Sequence, residues 1–163
     1  MPRVTIVVPA YNTARTLAAT LSALLDQTFR DFEIVVVDDG SSDATAAIAT
    51  SFQGDLRVRL IQQPNHGLAG ARNTGIAAAK GDLIGFCDAD DLWEPWKLHA
   101  HVRHLDAAPL VGVSYAGSAL IDDDGRFLKQ AQRPRLTGVD AAHILTRNPI
   151  GNGSAPVIRR AKR

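Results

Sequence analysis

Short apolar runs alternate with amphipathic segments along the first two thirds of the chain. The runs are rich in β-branched residues, as in buried strands, and the segments between them carry apolar residues at helical spacing. The runs predict strands at residues 4–9, 32–37, 57–62 and 83–86. The segments predict helices at residues 14–27, 43–51, 65–79 and 96–107. Fourfold alternation of strand and helix is typical of a parallel α/β sheet with helices on both faces.

The pattern after residue 107 is less regular. The predicted elements there are a strand at 111–121, a hairpin turn at 122–125, a strand at 126–130, a helix at 138–147 and a strand at 154–158. Closer to the start, Asn12 or Thr13 is expected to cap the first helix and Ser42 the second, because their side-chain oxygens can accept backbone N–H groups. Gly81 is expected to end the third helix.

Cysteine and histidine give little sign of a metal centre. The single cysteine, Cys87, excludes an internal disulfide and is expected to be a small buried residue. His99, His101 and His104 lie in one predicted helix, but their spacing places them on different faces and no cysteine accompanies them. We therefore expect these histidines to face solvent.

Charge is distributed unevenly although the net charge is only +1. Residues 126–163 hold nine Lys or Arg against one acid, whereas residues 1–125 hold nine against sixteen acids. The basic segment either faces acidic segments and water, which we prefer, or binds an anionic surface such as lipid. No run of about 18 apolar residues and no signal peptide is predicted. We expect a cytoplasmic location, with peripheral contact to the inner face of the membrane as the alternative.

Three aspartates follow the fourth predicted strand, in the stretch Asp88-Ala89-Asp90-Asp91. Burial of unpaired carboxylates is costly, and neighbouring like charges raise one another's pKa. A divalent cation removes both objections, because Mg²⁺ and Mn²⁺ prefer carboxylate oxygens and bridge them to substrate phosphates. The stretch is either such a metal–phosphate site or a solvated acidic turn.

Two more polar loops support the first interpretation. The loops Pro9-Ala10-Tyr11-Asn12 and Asp38-Asp39-Gly40-Ser41 also stand directly after predicted strands. The carboxyl ends of parallel strands meet at one edge of a sheet, where ligands of such folds bind. We therefore expect the three loops to form one ligand-binding crevice.

In order and spacing, four motifs resemble those of family 2 glycosyltransferases, densely over residues 3–98. The motifs are Val4-Thr5-Ile6-Val7-Val8-Pro9-Ala10-Tyr11-Asn12, Val37-Asp38-Asp39-Gly40-Ser41-Ser42-Asp43, Asn65-His66-Gly67-Leu68-Ala69-Gly70-Ala71-Arg72-Asn73-Thr74-Gly75 and Asp88-Ala89-Asp90-Asp91-Leu92-Trp93. The resemblance implies the Rossmann-like GT-A fold and a nucleotide-diphosphate-sugar donor, usually UDP-linked. It also implies Mn²⁺ or Mg²⁺ as cofactor and transfer with inversion.

The resemblance also assigns site residues. Donor binding is expected from Pro9, Ala10, Tyr11, Asn12, Asp38, Asp39, Gly67, Gly70, Arg72, Asp88, Ala89 and Asp90. Pro9 and Tyr11 would wall the uracil ring, and Asp39 would accept the N–H of the base. Asp38 would bind the donor or fix its loop.

The third and fourth motifs would hold the diphosphate. Gly67 and Gly70 permit close approach of the backbone to the ligand, and the forked guanidinium of Arg72 can bind anionic groups. Asp88 would lie toward the ribose and Arg72, and Asp90, with Asp88, would bind the metal. Asp91 would act as an acid of the site or as a helix cap. The tryptophans 93 and 96 would stack on a sugar or pack within the protein.

The resemblance weakens after residue 98. The family's general base is an acidic residue beyond a strand that resembles residues 154–160, and the only carboxylate after Asp124 is Asp140. The catalytic base is therefore unassigned. We expect one GT-A-like domain with a nucleotide-sugar-binding half at residues 1–107 and an incomplete acceptor-side half at 108–163.

Three explanations of the missing base follow. The chain is a fragment of a longer transferase, a truncated product, or a short enzyme that borrows its base from a partner. A non-catalytic nucleotide-sugar-binding module is the alternative function. The acceptor would be a glycan, a lipid-linked or a protein acceptor, no nucleic-acid partner is expected, and exposed apolar surface would favour self-association.

Overall fold

The computed structural model describes residues 1–122, 124–132 and 150–160. The strands are β1 (Val4–Ala10), β2 (Phe32–Asp38), β3 (Val58–Gln62), β4 (Leu83–Phe86), β5 (Val113–Tyr115), β6 (Ser118–Ile121), β7 (Phe127–Gln132) and β8 (Pro156–Arg159). The helices are α1 (Leu17–Leu25), α2 (Thr45–Ser51), α3 (Gly67–Ala78) and α4 (Lys97–Ala107), with a 3-10 turn at Phe52–Gly54. The helix predicted at 138–147 lies outside the described residues.

The main sheet has the strand order β3-β2-β1-β4-β8-β5. Strands β1 to β4 are parallel, as the alternation of strands and helices predicted, and β8 lies antiparallel between β4 and β5. Strands β6 and β7 form a separate antiparallel hairpin. The single strand predicted at 111–121 is therefore wrong. Because β5 pairs with β8 while β6 pairs with β7, the chain must leave the main sheet between Tyr115 and Ser118.

Helices bury both faces of the main sheet. On one face, Ile6 and Ile34 pack in a cluster with the α1 leucines, of which Leu21 is fully buried, and with Leu98 of α4. On the other face, Val35 and Val37 pack against α3. Every residue of β1 and β2 is buried. Burial on both faces explains why these strands read as continuous apolar runs.

Each helix begins one to three residues later than predicted, and α1 and α3 also end earlier. Helix α1 begins at Leu17 because residues 13–16 form a turn in which the Thr13 carbonyl accepts the N–H groups of Thr16 and Leu17. Asn12 does not cap α1, since its side-chain Oδ1 accepts the N–H of Ser42 at 2.8 Å. With a φ of 51°, Asn12 lies in the left-handed region, which asparagine tolerates.

The end of α3 depends on close packing of backbone. The helix ends at Ala78, and the following Ala79 has extended backbone. Gly81 does not supply a left-handed turn. A Cβ atom on Gly81 would lie 2.7 Å from the backbone N of Thr5, so glycine is required for this approach to β1. The hydroxyl of Thr5 accepts the N–H of Gly81 at 2.9 Å.

The expectation that all three histidines of α4 face solvent is wrong for His101. Residues three apart in a helix share a face, so His101 and His104 both lie beside β5. The Nδ1 atoms of His101 and His104 lie 2.8 and 2.9 Å from the Ser114 hydroxyl. His101 is only 4% exposed. The pKa of His101 is lowered to about 4, mainly by burial and then by the nearby charges of Lys97 and His104.

Within the described ranges, no helix is both long and apolar enough to cross a bilayer. The β6–β7 hairpin exposes several apolar side chains, including Phe127 at 67% and Leu128 at 60%. Self-association through exposed apolar surface stays a prediction.

The buried imidazole gives the fold a pH dependence. His101 binds a proton near pH 6.5 when the chain is unfolded but near pH 4 when it is folded. The unfolded state therefore holds more protons between these values, and stability falls as the pH is lowered. For His101→Asn we expect the loss of unfolding free energy between pH 7 and pH 4.5 to be smaller by roughly 2–3 kcal/mol.

Urea denaturation at the two pH values measures this difference. His99→Asn, at an exposed position of the same helix, is the matched control and should keep the pH dependence of the unmodified chain. If both variants lost the same unfolding free energy between pH 7 and pH 4.5, His101 would not be the source of the pH dependence.

Candidate nucleotide-diphosphate site

Backbone pairing continues beyond the strand ends and brings three loops together. Asp39 N–H donates to the Ala10 carbonyl at 2.9 Å, and Cys87 N–H donates to the Val7 carbonyl at 3.0 Å. The loops after β1, β2 and β4 therefore lie side by side at the carboxyl edge of the parallel strands. The adjacency of the three loops agrees with the sequence-based expectation, and their joint role in binding one ligand stays a prediction.

A cavity of about 350 Å³ opens between the first two loops and the start of α3. We call it the Tyr11 cavity. Its lining consists of Pro9, Ala10, Tyr11, Asp39, Asn65, Gly67, Leu68 and Ala71. Tyr11 and Leu68 are each 53% exposed, so an aromatic and an aliphatic surface remain open to a ligand. The volume lies in the range of small-molecule sites.

Asp39 is a buried, charged acceptor in the wall of the Tyr11 cavity. It is 3% exposed, and its Oδ1 accepts Gln63 Nε2 at 2.6 Å and His66 N–H at 2.9 Å. Burial raises the pKa of Asp39, but the hydrogen bonds from His66, Gln63 and Gly67 together lower it by more. The carboxylate is therefore ionised at neutral pH and can accept an N–H group of a ligand.

Asn12 and Asp38 hold the loops in place. Asp38 accepts Ser41 N–H at 3.2 Å and Gln62 Nε2 at 3.4 Å, and Asn12 joins the first loop to Ser42. Neither residue lines the Tyr11 cavity. Gly67 lines it with a φ of 74°, whereas Gly70 packs against the side chain of His66.

Arg72 forms an ion pair with Asp88, the first residue of the segment Asp88-Ala89-Asp90-Asp91-Leu92, which we call the acidic loop. Arg72 Nη2 lies 2.7 Å from Asp88 Oδ1, and both side chains are about 30% exposed. Within the described part of the chain, Arg72 Nε is buried without a hydrogen-bond partner. A cation that is partly open and incompletely bonded is suited to receive an anionic ligand.

The loop before β8 covers this ion pair, which sequence reasoning missed. The Ser154 hydroxyl accepts Asp88 N–H at 2.8 Å. A Cβ atom on Gly153 would lie 2.2 Å from Arg72 Nη2 and 3.0 Å from Asp88 Oδ2, so a side chain here would displace the end of Arg72 from its present position. The sole signal in the sequence is the run of small and polar residues at 151–154.

Asp88 and Asp90 suit a divalent cation shared with phosphate. Among the described residues, no three His, Cys, Asp or Glu side chains stand together as a metal site. Mg²⁺ is commonly held by only one or two carboxylates together with substrate phosphates, so this donor set fits. Asp88 already bonds Arg72, whereas Asp90 is exposed and Ala89 between them is buried. Asp90 is thus the better placed ligand.

A second cavity, of about 620 Å³, begins on the other side of the acidic loop. We call it the Trp96 cavity. Its lining comprises Ala23, Asp91, Leu92, Trp93, Glu94, Trp96, Lys97, Gly117, Ser118, Ala119, Ile121, Gly125, Gln130, Asn152, Ser154 and Ala155. Trp93 is 3% exposed, whereas Trp96 is 62% exposed. The two tryptophans therefore differ in role, since Trp93 packs in the core and Trp96 presents its ring.

Partly buried charged groups line the Trp96 cavity. Lys97 Nζ donates to the Ser154 carbonyl at 2.5 Å and lies 4.3 Å from the centroid of the Trp93 ring. Burial lowers the pKa of Lys97 to about 8. Burial likewise raises the pKa of Asp91. Perturbed groups around a cavity are typical of functional sites.

Gln27 fixes the loop that carries Trp96. Its fully buried side chain donates from Nε2 to the Glu94 carbonyl at 2.8 Å and accepts Leu98 N–H at 2.9 Å. The Pro95 carbonyl accepts Thr28 N–H at 2.7 Å. The end of α1 therefore holds both sides of Trp96 in place.

Comparison with known proteins identifies the family. A model described as glycosyl transferase family 2 matches residues 5–160. The chain belongs to this family. An uncharacterized glycosyltransferase of Nostoc sp., alr2836, is 37% identical over 88% of the chain and 45% of its own length. The succinoglycan biosynthesis protein ExoO of Rhizobium meliloti is 40% identical over 84% of the chain and 41% of its own length.

Solved structures of GT-A proteins have the same fold. S. aureus TarS in complex with UDP-GlcNAc has a TM-score of 0.76 and 26% identity, over 98% of this chain and 45% of TarS. The mannosyltransferase PcManGT of Pyrobaculum calidifontis, in complex with GDP-Man and Mn²⁺, has a TM-score of 0.71 and 28% identity. The match covers 98% of this chain and 45% of PcManGT. The chain thus spans less than half the length of these relatives.

The anchoring of the Trp96 loop by Gln27 can be tested by shortening the Gln27 side chain. Gln27→Ala leaves the Glu94 carbonyl and Leu98 N–H unpaired and opens a cavity. We expect the free energy of unfolding to fall by roughly 2–4 kcal/mol, measured by urea denaturation. The control Gln53→Ala, at an exposed position, should change it by about 0.5 kcal/mol or less. A Gln27 effect as small as that of the control would disprove the anchoring.

Proposed function

We propose that the chain binds a UDP-sugar at this edge of the sheet, and that the binding serves metal-dependent transfer of the sugar, with inversion, to an acceptor. The observation that carries the proposal is the arrangement of sites. A small cavity with a charged acceptor, Asp39, lies next to Arg72 and the Asp88–Asp90 pair. A base and a diphosphate require these two surfaces in this order.

The Tyr11 cavity is proposed to hold the uracil ring. Tyr11 and Pro9 supply apolar walls, and ionised Asp39 accepts the ring N–H, which pyrimidine diones present. The structure of TarS with UDP-GlcNAc supports this choice of base. PcManGT binds GDP-Man, so GDP is the competing nucleotide in any test.

Arg72 is proposed to bind the diphosphate. Its guanidinium can donate two parallel hydrogen bonds to phosphate oxygens, while Asp88 orients it through the 2.7 Å contact. Mn²⁺ or Mg²⁺ held by Asp90 and Asp88 would supply Lewis-acid stabilisation of the departing diphosphate. Inversion requires that the acceptor oxygen bonds the anomeric carbon on the face opposite the phosphate as the bond to phosphate breaks.

A thermal-shift titration with UDP tests the donor site. At about 100 times the Kd, UDP with Mn²⁺ should raise the unfolding free energy by roughly 2.7 kcal/mol and the Tm by about 5–10 °C. Asp90→Asn should lose the metal-dependent part of the shift. The control Asp31→Asn, at the opposite edge of the sheet, should retain it. A folded chain that shifts with GDP but not UDP would refute the choice of base, and no shift with either would refute the site.

Gly153 offers a test that leaves the ligand-binding side chains unchanged. In Gly153→Ala the new methyl group displaces the end of Arg72 and disturbs its bond to Asp88. We expect UDP affinity to fall by about 10- to 100-fold in isothermal titration, the loss of one charge-assisted hydrogen bond. Gly112→Ala, where a Cβ meets nothing within 4 Å, is the matched control. Equal affinities in both variants would contradict the proposal that Asp88 orients Arg72 toward the diphosphate.

A further inference from the structure

We propose that the Trp96 cavity is a carbohydrate site in which a sugar ring stacks on the indole of Trp96. The inference rests on the proposed function and adds to it the class of molecule bound beyond the acidic loop. Such a ring belongs either to the sugar of the donor or to an acceptor glycan. Both present the same chemistry, an apolar C–H face with hydroxyl groups around its edge.

The aromatic surface of Trp96 is exposed, and the backbone that carries it is held. Trp96 is 62% exposed and lines a cavity, although large aromatic side chains usually bury most of their area. Gln27 and Thr28 bond the backbone on both sides of it. Because this backbone is held, little backbone entropy is lost when a ligand covers the indole.

Polar groups around the ring match the hydroxyls of a sugar. Asn152 Nδ2 lies 3.5 Å from Asp91 Oδ2, so a carboxylate and an amide stand side by side in the cavity wall. Together they offer acceptors and donors to adjacent hydroxyl groups. Within the described residues, the buried Nε1 of Trp93 in the same wall has no hydrogen-bond partner. Unpaired buried donors are rare in folded proteins, and a bound water is one group that can satisfy them.

The acidic loop connects the two cavities in the order that a donor requires. The Tyr11 cavity contains Asp39, the Arg72–Asp88 pair follows, and Asp91 opens the Trp96 cavity. Ser154 belongs to both regions, since its hydroxyl accepts Asp88 N–H and its residue lines the Trp96 cavity. A nucleotide in the first cavity would therefore direct its sugar toward the second.

The β6–β7 hairpin forms another wall of the Trp96 cavity. Gly117, Ser118 and Gln130 of the hairpin region are among its lining residues. At the turn, a Cβ atom on Gly125 would lie 4.0 Å from Leu92 of the acidic loop, so the hairpin reaches across to it. The resulting volume of about 620 Å³ exceeds that of the Tyr11 cavity and suits a ligand of more than one ring.

Intrinsic fluorescence gives a readout that does not require turnover. The chain contains two tryptophans, of which Trp93 is buried and Trp96 exposed, so a change in the exposed signal reports on Trp96. The probes are UDP, UDP-GlcNAc and an array of bacterial oligosaccharides. The variants are Trp96→Ala and Trp96→Phe, with Leu110→Ala as the control for an exposed apolar residue elsewhere.

A sugar site predicts one of two patterns. If the donor supplies the ring, UDP-GlcNAc but not UDP shifts the Trp96 emission. Trp96→Ala then weakens the binding of UDP-GlcNAc about tenfold and leaves the affinity for UDP unchanged. If the acceptor supplies it, array glycans bind the unmodified chain and Trp96→Phe, and binding falls about tenfold in Trp96→Ala. Leu110→Ala should bind as the unmodified chain does in both cases.

The opposite result is equally clear. If UDP binds, but neither UDP-GlcNAc nor any array glycan depends on Trp96, the carbohydrate site is overturned and the donor site stands. If UDP itself fails to bind the folded chain, the proposed function fails first. The UDP measurement therefore separates the two failures.

Discussion

The parallel pairing of β1 with β2 and β4 is the constraint on which the site depends. In this pairing, Ala10 lies opposite Asp38 and Val7 opposite Phe86, so the strands reach one edge in register. Hydrogen bonds at Ala10 and Val7 then carry the alignment one residue further, into the loops. A shift of one residue in either pair would turn the side chains to the other face and separate the loops.

Burial maintains this register. The side chains of β1 and β2 are covered on both faces, so no alternative pairing leaves the same apolar area out of water. Polar residues enter the sheet only where they are bonded, as Thr5 is to Glu33 at 2.8 Å. The core is therefore a rigid base, and the chemical groups stand on loops that the base positions.

The sequence predicted the parts of the structure that local pattern determines. Apolar runs located β1 to β4, and the polar residues after them located the loops that meet at the carboxyl edge of the sheet. The break between β5 and β6 could not be predicted, because it depends on β8, about forty residues further along the chain. Burial of His101 depends likewise on Ser114 of β5. Gly153 could not be found because its neighbours Arg72 and Asp88 are distant in sequence and only the fold makes them contacts.

Ser154 joins two regions that a protein engineer would prefer to vary separately. Its hydroxyl accepts a hydrogen bond from Asp88 N–H, and its carbonyl accepts one from the ammonium group of Lys97. Replacement of residues 151–155 by the loop of a relative would therefore move both regions together. The antiparallel position of β8 between β4 and β5 reinforces this, because the sheet fixes where the loop ends. Chimeras that exchange this loop should therefore change the region of Asp88 and the region of Lys97 at the same time. Recombination between relatives would then exchange whole loops rather than single residues.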